Sequence, residues 1–230
     1  MLATVILLAI ASAITVAATA APTISARLDT EPVSAQRAVD LLTESTVQLL
    51  ALGCDLSNRE GSGVIVGSGR LLTNAHVVAG TRLVDVSADG LPTIVATMAT
   101  VAPVGDVAVV QAGGIAATGL TLAGADPQVG DQVRVAGFPS APPGVRPPGL
   151  EIASAQVIGT LVGVGQPWPV LRLNVMVHPG MSGGPVLDQN GHLAGIVFGN
   201  EVPTGQALAI PASALREILD GRNLVATGCS

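Results

Sequence analysis

Residues 178–187 read HPGMSGGPVL, and the rest of the interpretation works outward from this stretch. Ser182 lies between glycines on a turn that runs into an apolar strand. A serine hydroxyl attacks an amide only when an imidazole takes its proton and hydrogen-bond donors stabilise the oxyanion that forms. Ser182 is therefore the candidate nucleophile, and the chain should contain an imidazole to activate it.

Two upstream segments contain the groups that such a serine needs. Residues 71–78 read LLTNAHVV and contain His76, and residues 105–110 read GDVAVV and begin an apolar run at Asp106. A carboxylate that orients an imidazole has to be largely buried, and the apolar run would draw Asp106 inward. Acids in loops are usually only solvated; the competing acids of this kind are Asp85, Asp89, Asp126 and Asp131.

Together the three segments resemble the trypsin-like serine peptidases of the chymotrypsin fold, in which a TNAHVV-type segment carries the base and a GxSGGP segment carries the nucleophile. Their spacing is more similar to the bacterial HtrA-type branch than to the digestive enzymes. The likeness covers roughly residues 46–219. It is closer still to the protease domain of actinobacterial periplasmic membrane serine proteases, which have a cysteine shortly before a Gly-Ser-Gly strand, as Cys54 precedes residues 61–63 here.

The resemblance implies a serine endopeptidase that works through an acyl-enzyme intermediate. Ser182 would attack, His76 would shuttle the proton, and Asp106 would orient His76. The backbone N–H groups of Gly180 and Ser182 would form the oxyanion hole, and glycine at position 180 permits the backbone conformation that this needs. Met181 stands where the digestive enzymes have an acid that a newly cut N-terminus neutralises, so activation by N-terminal insertion is not expected.

The same resemblance predicts the pocket for the substrate side chain at the cleavage site. Met176 would lie at its base, where no acid is available to bind arginine or lysine. Its wall would include Val197, Phe198 and Gly199. These residues predict a preference for a small or medium hydrophobic side chain, although a shift of one residue in the alignment would reverse the strand faces.

The composition predicts an all-β fold. The 230 residues are 49% hydrophobic but include one tryptophan, two phenylalanines and no tyrosine, so the core must be built from Val, Ile, Leu and Ala. Short valine-rich runs separated by Gly, Pro or Asp indicate strands with tight turns. With the resemblance, they predict two six-stranded antiparallel β-barrels at residues 46–124 and 128–211, with the catalytic cleft between them and a short C-terminal helix at 211–220.

Several local patterns refine this picture. The Gly-Ser-Gly sequences at 61–63 and 67–69 are interpreted as turns at strand ends. One predicted strand runs from Thr93 to Thr100. Residues 46–230 are expected to form the protease domain, preceded by a polar, proline-containing linker at 23–45 with room for one short helix.

Residues 1–22 are apolar or small and are long enough for a helix to cross the hydrocarbon layer of about 30 Å. They predict either a cleavable signal peptide or a membrane anchor. A small-residue site precedes Ala21, but the positively charged start of a signal peptide is missing. Either alternative predicts an extracytoplasmic protein, in the periplasm, at the cell envelope or secreted, with the membrane as a partner if the segment is retained.

Cys54 and Cys229 lie near the two ends of the predicted protease domain, and a disulfide between them would suit an extracytoplasmic location. The alternative is two unpaired thiols. The spacing of the cysteines and three scattered histidines predicts no metal site, and no cofactor is expected. His178 and His192 are more simply structural or exposed, although His178 is near enough to Ser182 to touch a substrate.

The charge balance points to protein rather than nucleic acid as the partner. The formal net charge is −6, and all ten basic residues are arginines. An acidic chain is poorly suited to the phosphate backbone. The expected partner is a protein or peptide substrate. The alternative function is that of a catalytically silent or latent protein of the same fold, which would use the cleft only to dock peptides.

Overall fold

The structure, a computed structural model, describes residues 32–67, 69–88, 92–115, 119–142, 144–220 and 224–229. Within these ranges the chain forms fourteen strands and three short helices. None of these helices combines the length and the apolar character that crossing a membrane requires. The predicted signal peptide or anchor at residues 1–22 lies outside the described ranges, as does the competing acid Asp89.

An antiparallel sheet of eight strands forms the first half of the fold. Its strands are β1 (Thr46–Gly53), β2 (Asn58–Gly67), β3 (Arg70–Thr73), β4 (Thr81–Ser87), β5 (Ile94–Val95), β6 (Met98–Val101), β7 (Ala108–Gln111) and the C-terminal β14 (Val225–Thr227). Their spatial order is β14-β6-β7-β3-β2-β1-β4-β5. The sequence predicts six strands here, and the difference has two causes.

The first cause is a break in the strand predicted from Thr93 to Thr100. Its first part, β5, pairs with β4, whereas its second part, β6, pairs with β7. At the break, Ala96 N donates to Val84 O at 2.9 Å and Thr97 N donates to Gln111 O at 2.8 Å. The chain therefore passes from one side of the curled sheet to the other. The second cause is β14, which adds to the edge of β6.

The second half is a closed barrel of six antiparallel strands, as predicted. Its strands are β8 (Gln132–Gly137), β9 (Glu151–Leu161), β10 (Val170–Leu173), β11 (Pro185–Leu187), β12 (Leu193–Asn200) and β13 (Ala207–Pro211). They follow the order β10-β13-β12-β11-β8-β9 around the barrel. The all-β class is thus confirmed, and the closing helix is α3 (Ala212–Leu219).

The two halves share a hydrophobic core. One buried cluster combines Val64 and Leu72 from the first sheet with Ile196 from the barrel and Leu215 from α3. Helix α1 (Ala35–Ser45) adds Leu42 to this cluster, and the hydroxyl of Ser34 caps its first turn by accepting from Arg37 N at 3.1 Å. Among the described residues, the core consists almost entirely of Val, Ile, Leu and Ala side chains, as the composition requires, and Phe138 and Met181 are its larger exceptions. This shared core keeps the two halves in a fixed relation.

A disulfide joins Cys54, directly after β1, to Cys229, two residues after β14, across a sequence separation of 175 residues. Near it, Gly80 N donates to Thr227 Oγ1 at 2.7 Å. The bridge therefore fastens the C-terminal strand to the body of the first sheet.

Removing this bridge should destabilise the protein. The Cys54→Ser/Cys229→Ser double variant should lower the free energy of unfolding by about 2–4 kcal/mol, because the unfolded chain regains the freedom of a large loop. Chemical denaturation followed by Trp168 fluorescence measures this loss. Reductant should lower the midpoint of the wild type and leave that of the double variant unchanged. Equal midpoints for wild type and variant under oxidising conditions would contradict the prediction.

Candidate active site

The three candidate catalytic residues lie on short elements at the junction of the two halves. His76 belongs to α2 (Ala75–Val78), Asp106 to the turn before β7, and Ser182 to the turn before β11. Helix α2 is held in place because Val77 and Val78 are fully buried. The three residues therefore lie at the same junction, although the segments around them belong to different halves of the fold.

His76 and Asp106 form a closely coupled pair. The ring atom Nδ1 of His76 lies 2.6 Å from Asp106 Oδ2, and the backbone N–H of His76 donates to Oδ1 of the same carboxylate at 2.9 Å. A carboxylate only accepts hydrogen bonds, so this contact assigns the ring proton to Nδ1 and leaves Nε2 able to accept a proton. The Asp106 side chain is 20% exposed and that of His76 is 52% exposed, which leaves the imidazole accessible to a substrate.

The backbone of Asp106 is fixed from both halves of the fold. Asn74 Nδ2 donates to Asp106 O at 2.8 Å, and Asp106 N donates to Gln166 Oε1 at 3.0 Å. Trp168 packs against Gly105 so closely that a side chain at position 105 would collide with the indole. Sequence reasoning missed these supporting residues. Asn74 could have been noticed because it is two residues from His76, whereas nothing in the sequence connects Gln166 to Asp106.

Ser182 is half-buried, and the turn that carries it is linked to the first sheet. Its carbonyl oxygen accepts from Ser62 N at 2.7 Å. Among the described residues, its hydroxyl makes no hydrogen bond, so the structure does not join Ser182 Oγ to His76 in the way that it joins His76 to Asp106. Hydrogen bonds of this kind are often long before a substrate is bound.

The turn before Ser182 has an unusual backbone conformation at Gly180. Gly180 has φ +89°, a conformation that side chains disfavour, and a Cβ at this position would lie 2.5 Å from Ser140 N. Within residues 180–184, the N–H groups of Met181, Gly183 and Gly184 all have backbone acceptors. The N–H groups of Gly180 and Ser182 make no hydrogen bond among the described residues and are free to donate to an oxyanion.

The residues predicted for the substrate pocket have different exposures. Met176 is 62% exposed, and its Cε lies beside Gly205. Phe198 and Gly199 are half-buried, whereas Val197 is fully buried in the core of the barrel. Met176 and Phe198 thus keep exposed side-chain surface, whereas Val197, predicted to form part of the pocket wall, has none.

Two polar contacts stiffen the segments that carry these pocket residues. Asn200 Nδ2 donates to Val177 O at 2.8 Å, and Val177 N donates to Asn200 Oδ1 at 3.1 Å. On the neighbouring turn, the Thr204 hydroxyl and then Arg172 hold the pKa of Glu201 below its usual value by donating hydrogen bonds to the carboxylate. Both contacts sit beside the predicted pocket.

Most of the other candidate acids, and both other histidines, lie near polar partners. Asp126 accepts from Ser213 N at 2.9 Å at the start of α3, and Asp131 accepts from Gln128 N at 2.7 Å. Asp85 lies within β4. The histidines outside the pair lie near acids, at 3.9 Å for His178 and Glu151 and 3.7 Å for His192 and Asp188. Within the described ranges, no group of three or more His, Cys, Asp or Glu is arranged to hold a metal ion.

Known sequences and families match this chain over its central part. The family model for the trypsin-like peptidase domain matches residues 61–196. The serine protease Rv3671c of Mycobacterium tuberculosis H37Rv is 34% identical over 144 residues, which cover 61% of this chain and 36% of that protein. The mitochondrial serine protease HTRA2 of Bos taurus is 32% identical over 171 residues, which cover 73% of this chain and 37% of that protein. The chain spans just over a third of the length of these curated relatives.

Solved structures extend the likeness to the fold. The crystal structure of the active form of the Rv3671c protease from M. tuberculosis matches with a TM-score of 0.71 and 28% identity, over 87% of this chain and 90% of that chain. The HtrA-type protease AlgW, solved with a tripeptide, matches with a TM-score of 0.71 and 25% identity, over 82% of this chain and 63% of that chain.

Proposed function

Because this chain belongs to the trypsin-like peptidase family, we propose that it is a serine endopeptidase that hydrolyses peptide bonds through an acyl-enzyme intermediate. One observation supports this proposal most directly. The paired His76 and Asp106 stand at the same junction as a turn in which the N–H groups of Gly180 and Ser182 are left without acceptors among the described residues. These are the general base and the oxyanion donors that acyl transfer from an amide requires.

The reaction follows from these groups. Ser182 Oγ attacks the scissile carbonyl carbon while His76 Nε2 takes the hydroxyl proton, and Asp106 stabilises the imidazolium that forms. The N–H groups of Gly180 and Ser182 donate to the oxyanion of the tetrahedral intermediate. His76 then gives its proton to the leaving amine, and the acyl group stays on Ser182. Water repeats these steps with His76 again acting as the base, and this releases the second product.

The site needs no newly cut N-terminus to form. Met181 occupies the position before the nucleophile and is 1% exposed. It packs against Gly137, where a Cβ would lie 2.9 Å from the Met181 backbone. An apolar side chain thus performs the buried packing at this position, and no buried carboxylate has to be neutralised by an amino group.

The substrate is a protein or peptide with a small or medium hydrophobic residue at the cleavage site. Met176, Phe198 and Gly199 are apolar and not fully buried, and they are the residues proposed to line the pocket. The curated relatives are longer than the part that matches this chain. The proposed side-chain preference therefore concerns only the matched protease domain.

The protein works outside the cytoplasm. The disulfide between Cys54 and Cys229 is exposed, and such bonds persist in oxidising compartments. The apolar residues 1–22 direct the chain there as a signal peptide, or keep it at the membrane as an anchor.

The competing function is a silent or latent protein of the same fold that only docks peptides in the cleft. The observation in its favour is that the Ser182 hydroxyl has no hydrogen-bond partner within the described part of the chain. A silent protein and an active peptidase differ in one property, because only the peptidase has a serine reactive enough to attack an electrophile.

Labelling with a fluorophosphonate tests the proposal. The full chain, purified under oxidising conditions, should be labelled, and peptide mapping should locate the label on Ser182. Ser182→Ala should show no label, and Ser213→Ala should be labelled like the wild type because Ser213 hydrogen-bonds to Asp126 at the start of α3. A folded, disulfide-bonded wild type that remains unlabelled would establish the silent or latent protein instead.

A further inference from the structure

We propose that Ser62 is a positioning residue that holds the oxyanion turn, residues 178–182, in its working conformation. This inference rests on the proposed function. Ser62 belongs to the Gly-Ser-Gly sequence at 61–63, which was predicted to be a turn at a strand end. The structure instead places these residues inside β2, and Ser62 is fully buried. A polar side chain buried in a strand needs partners.

Every polar group of Ser62 has a partner, and two of these partners belong to the oxyanion turn. Ser62 Oγ donates to Gly180 O at 2.8 Å, and Ser62 N donates to Ser182 O at 2.7 Å. Ser62 Oγ also accepts from Phe138 N at 2.8 Å, and Ser62 O accepts from Thr73 Oγ1 at 2.7 Å. Ser62 thus holds the Gly180–Met181 and Ser182–Gly183 peptide units, which flank the Met181–Ser182 unit that carries the N–H of Ser182.

Two further backbone hydrogen bonds hold the same turn. Pro179 O accepts from Ser140 N at 2.8 Å, and Met181 N donates to His178 O at 3.1 Å. The carbonyl of Gly180 is therefore the group whose orientation depends on the Ser62 hydroxyl. Rotation of the peptide unit after Gly180 is easy because glycine has little steric restriction.

The consequence for the oxyanion hole follows from this geometry. Without the Ser62 hydroxyl, Gly180 O and Phe138 N lose their partner in a buried site, which is costly. The Gly180–Met181 peptide unit would then turn to find another donor. This rotation changes the backbone angles of Met181, so it also turns the adjoining Met181–Ser182 peptide unit and moves the Ser182 N–H away from the position that an oxyanion occupies.

Ser62 also sets the relation between the two sheets at the site. Its glycine neighbour allows close packing, since a Cβ on Gly61 would lie 2.6 Å from Val77 Cγ2, next to His76 in α2. Ser62 is thus held by the sheet that carries the base while it holds the turn that carries the nucleophile. This position suits a residue that aligns the two.

The test measures inactivation of the full chain by a fluorophosphonate, whose phosphoryl oxygen takes the place of the oxyanion. Ser62→Ala should lower the maximal inactivation rate constant by about 10- to 100-fold, which is up to the effect of losing one oxyanion donor. The half-saturating probe concentration should change little. Hydrogen exchange in the segment 176–184, followed by mass spectrometry, should become faster.

Thr46→Val is the matched control. Thr46 is also fully buried, and its hydroxyl donates to Leu42 O at 2.6 Å at the end of α1 without touching the turn. Thr46→Val should lose as much thermal stability as Ser62→Ala does. Its inactivation rate and its hydrogen exchange at 176–184 should equal those of the wild type. If Ser62→Ala does not fold, Ser62→Cys replaces it, because a thiol fills the site but is a weak donor.

The outcomes separate this inference from the proposed function. If the folded wild type does not react, the proposed function fails, and exchange at 176–184 alone decides whether Ser62 holds the turn. If the wild type reacts and the Ser62 variant has the same rate and the same exchange, the positioning role is wrong. Equal losses of reactivity in the Ser62 and Thr46 variants would also overturn it, because the effect would then reflect stability.

Discussion

Replacing His76 with alanine should lower kcat for peptide hydrolysis by about 10⁵- to 10⁶-fold, as expected when one member of a cooperating nucleophile–base pair is removed. The reason is chemical, since Ser182 keeps its proton without an imidazole and a neutral hydroxyl is a weak nucleophile towards an amide. Hydrolysis of fluorescein-labelled casein by the full chain measures the loss. The variant should fold normally because the His76 side chain is 52% exposed.

His192→Ala is the matched control for this prediction. His192 also lies near a carboxylate, Asp188, at 3.7 Å, but it stands on the turn before β12 rather than beside Ser182. It should hydrolyse casein like the wild type. If His76→Ala retained substantial activity and His178→Ala lost it, then His178 would be the base and the assignment of His76 would be wrong.

Asp106→Asn should lower kcat by about 10⁴-fold. Both carboxylate oxygens accept from His76, one from the ring and one from the backbone N–H. An asparagine has one amide oxygen, and if the backbone N–H keeps it, the amide NH₂ faces Nδ1 and donates to it. The ring proton then moves to Nε2, so His76 can no longer take the proton of Ser182.

The measurement is again hydrolysis of labelled casein, with Asp188→Asn as control. That variant alters the carboxylate of the other histidine–aspartate contact and should remain active. Asp106→Asn should still bind peptides, because the cleft keeps its shape. Activity within tenfold of the wild type would show that Asp106 is not the orienting acid, and the other candidates, such as Asp85, would then need the same test.

The family could be predicted from three short segments. The resemblance to trypsin-like peptidases of the HtrA type is confirmed by the family model and by the similarity to Rv3671c and HTRA2. These segments were readable because a glycine-rich turn, a histidine after a strand and an acid before an apolar run are local patterns. The all-β class and the valine-rich core were readable for the same reason.

Other predictions depended on contacts between distant segments and were less complete. The split of the strand at Thr93 to Thr100 follows from its two different neighbours, β4 and β7, which no local pattern reveals. The location of 61–63 inside β2 was missed because glycines usually mark turns, whereas here they allow close packing. The roles of the site residues stay predictions, and so does the assignment of residues 1–22 as a cleavable signal peptide or a membrane anchor.

The sequence alone was sufficient to identify the candidate site residues and the strands and turns around them, because strand alternation and glycine turns are encoded by near neighbours. It pointed to the N–H groups of Gly180 and Ser182 only through a family resemblance, and it could not say which contacts hold their turn in place. Ser62 and Gly180 are separated by 118 residues, and Asp106 and Gln166 by 60. Hydrogen bonds across such distances exist only after both halves have folded and buried their shared core, so the tertiary structure decides them.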